Sequence, residues 1–122
     1  MGQKILLVDG DQTISETVNA MLKGAGHETR IETSGGDGLE AFSRNPRAFN
    51  LIILDVGLPD ISGLLLAEKL LKVRSDIPIV LLSGQEGQTQ SKARNSGINF
   101  FGSKPLSMID LAETVQRALT GA

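Results

Sequence analysis

The 122-residue chain has no cysteine, no tryptophan, no tyrosine and a single histidine, His27. Without cysteine there is neither a disulfide framework nor a thiolate metal site, and one histidine cannot build a histidine cluster, which argues strongly against zinc chemistry. The missing tryptophan and tyrosine leave nothing of that kind to stack on a flavin ring. Long apolar runs are lacking too. The longest are only a few residues, and the first ten residues lack the basic start and extended apolar core of a signal peptide. Nor does charge of one sign prevail: 12 basic and 14 acidic side chains spread along the chain give a net charge of −2, with no basic stripe for a phosphate backbone. These absences predict a soluble, cytoplasmic domain that touches neither nucleic acid nor membrane directly.

What is present is 40% hydrophobic residues, enough to bury an ordinary core, in a length that suits one domain over residues 1–122. Strand-like runs begin near Lys4 (KILLVD), His27 (HETRIET), Asn50 (NLIILD), Ile77 (IPIVLL) and Ile98 (INFFGS), with room for one helix after each. In QTISETVNAMLKGAG, Ile14, Val18, Met21 and Leu22 recur at helical spacing, and Gly24 or Gly26 supplies the stop. SGLLLAEKLLKVR puts Leu66, Leu70 and Val73 on one face, with Ala67 and Leu71 beside them. SMIDLAETVQRAL aligns Met108, Leu111, Ala112, Val115 and Leu119, and Ser107 with Asp110 resembles a capping box. The second helix rests on Leu39, Ala41 and Phe42, and the fourth, in QEGQTQSKARNSG, has almost no apolar stripe beyond Ala93.

Strands alternating with helices imply right-handed crossovers and a parallel sheet covered on both faces. Runs one, three and four are nearly all apolar, as doubly covered interior strands must be. The second alternates Glu28, Arg30 and Glu32 around Ile31, which marks an edge, and the fifth, with Asn99 and Gly102, is the other edge. The expectation is a doubly wound α/β fold of the flavodoxin-like kind, with five parallel strands in the order 2-1-3-4-5 and five helices.

In such a sheet, ligands sit at the carboxyl ends of the strands, where strand order reverses. Strand one ends on Asp9, strand three on Asp55, strand four on Ser83, and strand five runs into Lys104 and Pro105. Any one of these has a plain reading as a turn residue, a helix cap or a solvated lysine. Four polar groups at one end of four strands are harder to read as independent turn residues.

DVGLPDISG after an apolar strand, with ILLVD near the start, LLSG after strand four and SKPL after strand five, resembles the receiver domain of two-component response regulators over nearly the whole chain. The resemblance implies that Asp55 accepts a phosphoryl group from a histidine kinase or phosphotransfer domain. It makes Asp9, Asp55 and the backbone carbonyl of Gly57 the Mg²⁺ ligands, and Ser83 and Lys104 the groups that meet phosphoryl oxygens. It further implies a cis peptide at Lys104–Pro105, a switch through Ser83 and Phe101, and an output face made by helix four, strand five and helix five. Such a domain is a phosphoacceptor assisting its own phosphorylation and dephosphorylation rather than an enzyme, typical of bacterial phosphorelays. The ending is also similar to receivers that close hybrid sensor kinases.

An acceptor at a strand end has its backbone fixed by the sheet while its carboxylate faces a shallow crevice, the geometry a nucleophile toward phosphorus needs. The sequence departs from the family at residue 10: it reads VDGD, with Gly10 where a second metal-binding acid normally stands. Three outcomes follow: weak metal binding through Asp9 and Asp55, substitution by Asp11, or a receiver-like interaction module that signals without phosphorylation. Phe101 stands where the family often has tyrosine, and Gly57 and Gln85 occupy positions that in the family tune loss of the phosphoryl group, with Gly84 leaving access open.

Other chemistries fit less well. GDGLEA at 36–41 satisfies G-x-G-x-x-A, but the strand before it reads as an edge and Asp37 would repel a pyrophosphate. Its glycines read instead as a flexible lead-in to a helix. DGDQTIS is too acidic for a flavin phosphate loop, and neither G-x-x-x-x-G-K-[ST] nor G-x-S-x-G occurs. His27, at the start of an edge strand, reads as simply exposed.

Overall fold

The computed structural model describes residues 2–83, 88–103 and 107–121. Its strands are β1 (Lys4–Val8), β2 (Glu28–Glu32), β3 (Leu51–Asp55), β4 (Ile79–Ser83) and β5 (Phe100–Ser103). Its helices are α1 (Gln12–Gly24), α2 (Gly35–Arg44), α3 (Gly63–Val73), α4 (Gln88–Asn95) and α5 (Met108–Thr120), with a short 3-10 turn at Pro46–Ala48. The strands form one parallel sheet in the order β2-β1-β3-β4-β5, so the expected topology holds, with the charged β2 at one edge and β5 at the other.

The apolar runs of β1, β3 and β4 divide by alternation into two cores. Leu6, Val8, Ile52, Leu54, Ile79 and Leu81 pack with Phe42 of α2, Leu66 and Leu70 of α3 and Ala93 of α4. Ile5, Leu7, Leu51, Ile53, Val80 and Leu82 pack with Val18 and Leu22 of α1 and Leu111, Val115 and Ala118 of α5. Both faces of the central strands are therefore dry, and their carboxyl ends are held rigidly.

Four side chains depart from the helical and edge expectations. Val73 is 40% exposed because, as the last residue of α3, it opens onto a hollow lined by Pro46, Arg47 and Asn50. On α5 the inward stripe is Leu111, Thr114, Val115 and Ala118, with Ala112 outside. Thr114 tolerates burial because its hydroxyl donates to the Asp110 carbonyl at 2.9 Å, satisfying itself within the helix. His27 is not simply exposed: it is half-buried, and its Nδ1 accepts the Gln3 amide at 3.1 Å, tying β2 to the segment before β1.

The glycines of 36–41 are not a flexible lead-in either. Gly36 and Gly38 lie within the first turn of α2, and a β-carbon on Gly38 would stand 2.8 Å from Val8 Cγ2. The glycine is there for close approach of helix to sheet. Helix α1 is capped at its C-terminus by Ala25, followed by Gly26 with φ +88°, the left-handed turn that glycine allows.

Candidate functional site

The sheet register determines which strand ends meet. Val8 is level with Leu54, and Asp55 with Leu82. Asp9, one residue beyond Val8, therefore stands beside Asp55 at the carboxyl edge of adjacent central strands. Alternation adds a second constraint: Ile5 and Leu7 share a face with Leu51 and Ile53, so Asp9 and Asp55 continue the same phase. Both are buried, at 0% and 7% exposure, and Ser83 at the end of β4 is 8% exposed.

Backbone amides orient the two carboxylates. The Asp11 amide donates to Asp9 Oδ1 at 2.8 Å, and the Gly57 amide to Asp55 Oδ1 at 3.3 Å. The Asp9 backbone is fixed by its own amide bonding the Glu32 carbonyl and by the Ser15 hydroxyl donating to its carbonyl. Asp11 is the N-cap of α1, its Oδ1 accepting the Ile14 amide at 3.2 Å, so one of its oxygens serves the helix.

Gly10, Asp11, Thr33, Asp55, Gly57 and Pro59 line an open cleft of about 760 Å³. The loop after β3 forms one wall. Its ends are pinned by the Gly63 amide bonding the Val56 carbonyl at 2.9 Å and by Ser62 capping α3 through the Leu65 amide. Gly63 itself must lack a side chain, since a β-carbon would lie 2.6 Å from the Asp55 carbonyl oxygen. In mid-loop, both oxygens of Asp60 are used: Oδ1 accepts the Gly35 amide at 2.8 Å and Oδ2 the Gly36 amide at 2.9 Å. These bonds, Gly36 first, hold the Asp60 carboxyl below the ordinary aspartate range.

The structure thus brings Asp9, Asp11, Gly57 and Asp55 to one rim, with Ser83 at the end of the neighbouring strand. Phe101 is half-buried on β5, with the Arg94 guanidinium 5.4 Å from its ring centre. Lys104, the Lys104–Pro105 bond, Gly84 and Gln85 lie outside the described residues. Among the described residues no group of three or more His, Cys, Asp and Glu side chains is gathered as for a metal ion. No described helix is long and apolar enough to cross a membrane. Sequence reasoning passed over Thr33 and Asp60. Thr33 follows β2 and obeys the same strand-end rule, whereas nothing local marks Asp60 apart from its place after Pro59.

Comparison with known proteins agrees with this fold. Residues 5–116 match the family model described as the response regulator receiver domain. The DNA-binding transcriptional regulator NtrC of Azospirillum brasilense is 34% identical over 116 residues, covering 94% of this chain and 24% of that protein. The transcriptional regulatory protein YkoG of Bacillus subtilis is 28% identical over 94% of this chain and 50% of its own length. A CheY-like response regulator receiver domain protein from Methanospirillum hungatei superposes with a TM-score of 0.89 at 31% identity, covering 99% of this chain and 96% of that one. The chain spans about half the length of YkoG and of another curated relative it matches.

Proposed function

The chain belongs to the response regulator receiver domain family of two-component signalling, and from that premise we propose that Asp55 accepts a phosphoryl group from a histidine kinase or phosphotransfer domain. The observation that carries this is the position of Asp55. It is the last residue of a wholly buried central strand, its carboxylate oriented by the Gly57 amide and opening on a cleft.

In the transfer, an Asp55 oxygen attacks phosphorus, the bond from phosphorus to the donor nitrogen breaks, and the electron pair returns to the donor imidazole. The chain's part is positioning, because phosphoryl transfer is governed by alignment and charge. The buried strand fixes the carboxylate, and Ser83 and Lys104 are the residues that would meet the phosphoryl oxygens. Asp9, Asp55 and the Gly57 carbonyl would hold Mg²⁺. Two carboxylates and a carbonyl are hard oxygen donors, and Mg²⁺ is commonly held by one or two carboxylates with water filling the rest. When bound, the ion supplies neutralisation of the negative charge gathered at the acceptor.

Phosphorylation then shifts a two-state equilibrium: Ser83 and Lys104 close on the phosphoryl group, Phe101 packs inward, and the face made by α4, β5 and α5 changes its affinity for an output domain or protein. The domain turns over no substrate of its own beyond this self-assisted gain and loss of phosphate, and it works in the cytoplasm.

Intact-mass measurement with a small-molecule phosphodonor and Mg²⁺ tests this. The wild type gains one phosphoryl mass and Asp55→Ala gains none. A second reading rests on Gly10, which brings no carboxylate to the rim: a receiver-like module that signals without phosphorylation. An unmodified wild type at millimolar Mg²⁺, with no NMR response to beryllofluoride, would favour it.

A further inference from the structure

The loop at 56–62 has two sides. One carries Gly57 and Pro59 into the cleft; the other sends Asp60 to the first turn of α2. The first amides of a helix have no partner within the helix, and a carboxylate is a favourable acceptor for them. Yet α2 already has a local cap, because Ser34 Oγ accepts the Asp37 amide at 3.2 Å. Asp60 reaches across 25 positions of sequence to take the Gly35 amide and across 24 to take the Gly36 amide.

The site is also shaped for this contact. A β-carbon on Gly35 would lie 2.1 Å from Ile61 Cγ2 and 3.2 Å from Asp60 Oδ1, so only glycine lets the loop settle on the helix. Pro59, directly before Asp60, restricts the backbone at the point where the loop turns from cleft to helix. The stretch that presents Gly57 is consequently held at two points: where the Gly63 amide meets Val56, and at Asp60. Both bonds are charge-assisted, and two of them to one carboxylate fix the loop's position even though Asp60 is exposed and water weakens each.

We infer that Asp60 is a positioning residue for the acceptor: by binding the loop to α2 it holds the Gly57 amide against Asp55 Oδ1, and so sets the direction of the acceptor carboxylate. The inference rests on the assignment of Asp55 as phosphoacceptor. A carboxylate that merely capped a helix would affect stability alone. A positioning residue affects Gly57 and the rate of acceptance while leaving donor binding in place.

Three variants of the full chain test it: Asp60→Ala, which removes both acceptors; Asp60→Asn, which keeps one; and Gly35→Ala, which pushes the loop away from the helix side. The first readout needs neither metal nor donor. Amide exchange by NMR is expected to rise roughly threefold or more at Gly57 in Asp60→Ala and Gly35→Ala, and by less in Asp60→Asn, with Gly63 still protected. The second is labelling by acetyl phosphate, whose maximal rate should fall several-fold with the donor KM unchanged, in the same order of variants. Unchanged exchange at Gly57 in Asp60→Ala overturns the inference. So does loss of protection at Gly57 and Gly63 together, which signifies a structural cap only, and so does faster Gly57 exchange with an unaltered labelling rate. If the wild type takes no phosphate, the phosphoacceptor assignment fails, and with it the acceptor role of Asp60, while Gly57 exchange still decides whether Asp60 holds the loop.

Discussion

Gly10 lies against Pro59 across the cleft: a β-carbon on Gly10 would stand 3.4 Å from Pro59 Cδ and 3.5 Å from the Thr33 carbonyl oxygen. These are close contacts without a clash, and Gly10 is not among the glycines with positive φ. Residue 10 can therefore take a β-carbon without backbone strain, at the rim that carries Asp9 and Asp55.

Gly10→Asp is expected to strengthen Mg²⁺ binding by roughly tenfold or more, the order of one added charge interaction of about 1.4 kcal/mol at a partly wet site. An NMR titration with Mg²⁺, following the Gly57 amide, measures it. Equal affinities in the variant and the wild type would remove Gly10 as the determinant of metal affinity.

Gly63→Ala should destabilise the domain by roughly 1–3 kcal/mol, because the new methyl would be forced into the backbone at Asp55 and Val56. Urea denaturation gives the figure. Gly24→Ala is the control, since a β-carbon there meets nothing within 4 Å.

The carboxyl of Asp60 is held below the ordinary value of 3.8 by the Gly36 and Gly35 amides. A pKa lower in the folded than in the unfolded chain gives a contribution that is fully present above the unfolded value and lost as pH falls through the folded one. The amide shifts of Gly35 and Gly36 should accordingly titrate together with a midpoint below 3.8. Independent midpoints, or a shared one at or above that value, would contradict the paired bonds.

Arg94 sits over the half-buried Phe101 ring, linking α4 to β5. If phosphorylation draws Phe101 inward, beryllofluoride should change hydrogen exchange in α4 and β5 while leaving β1 and β3 as they were. An unchanged pattern across α4 and β5 would count against a switch on this face.

The layout of the fold was legible in the sequence because it depends on local period. Apolar runs in KILLV, LIILD and IVLLS read as strands covered on both faces, and the charges of ETRIE mark an edge. That places Asp9, Asp55 and Ser83 at one rim, since parallel strands all end on the same side. Periodicity could not tell whether α5 would turn Ala112 or Thr114 inward, because a threonine whose hydroxyl bonds within its own helix is as easily buried as an alanine. Nor could it show Asp60 meeting Gly35 and Gly36, His27 accepting the Gln3 amide, or the space beside Gly10. Each depends on where two distant loops come to rest, and only the packed sheet with its helices decides that.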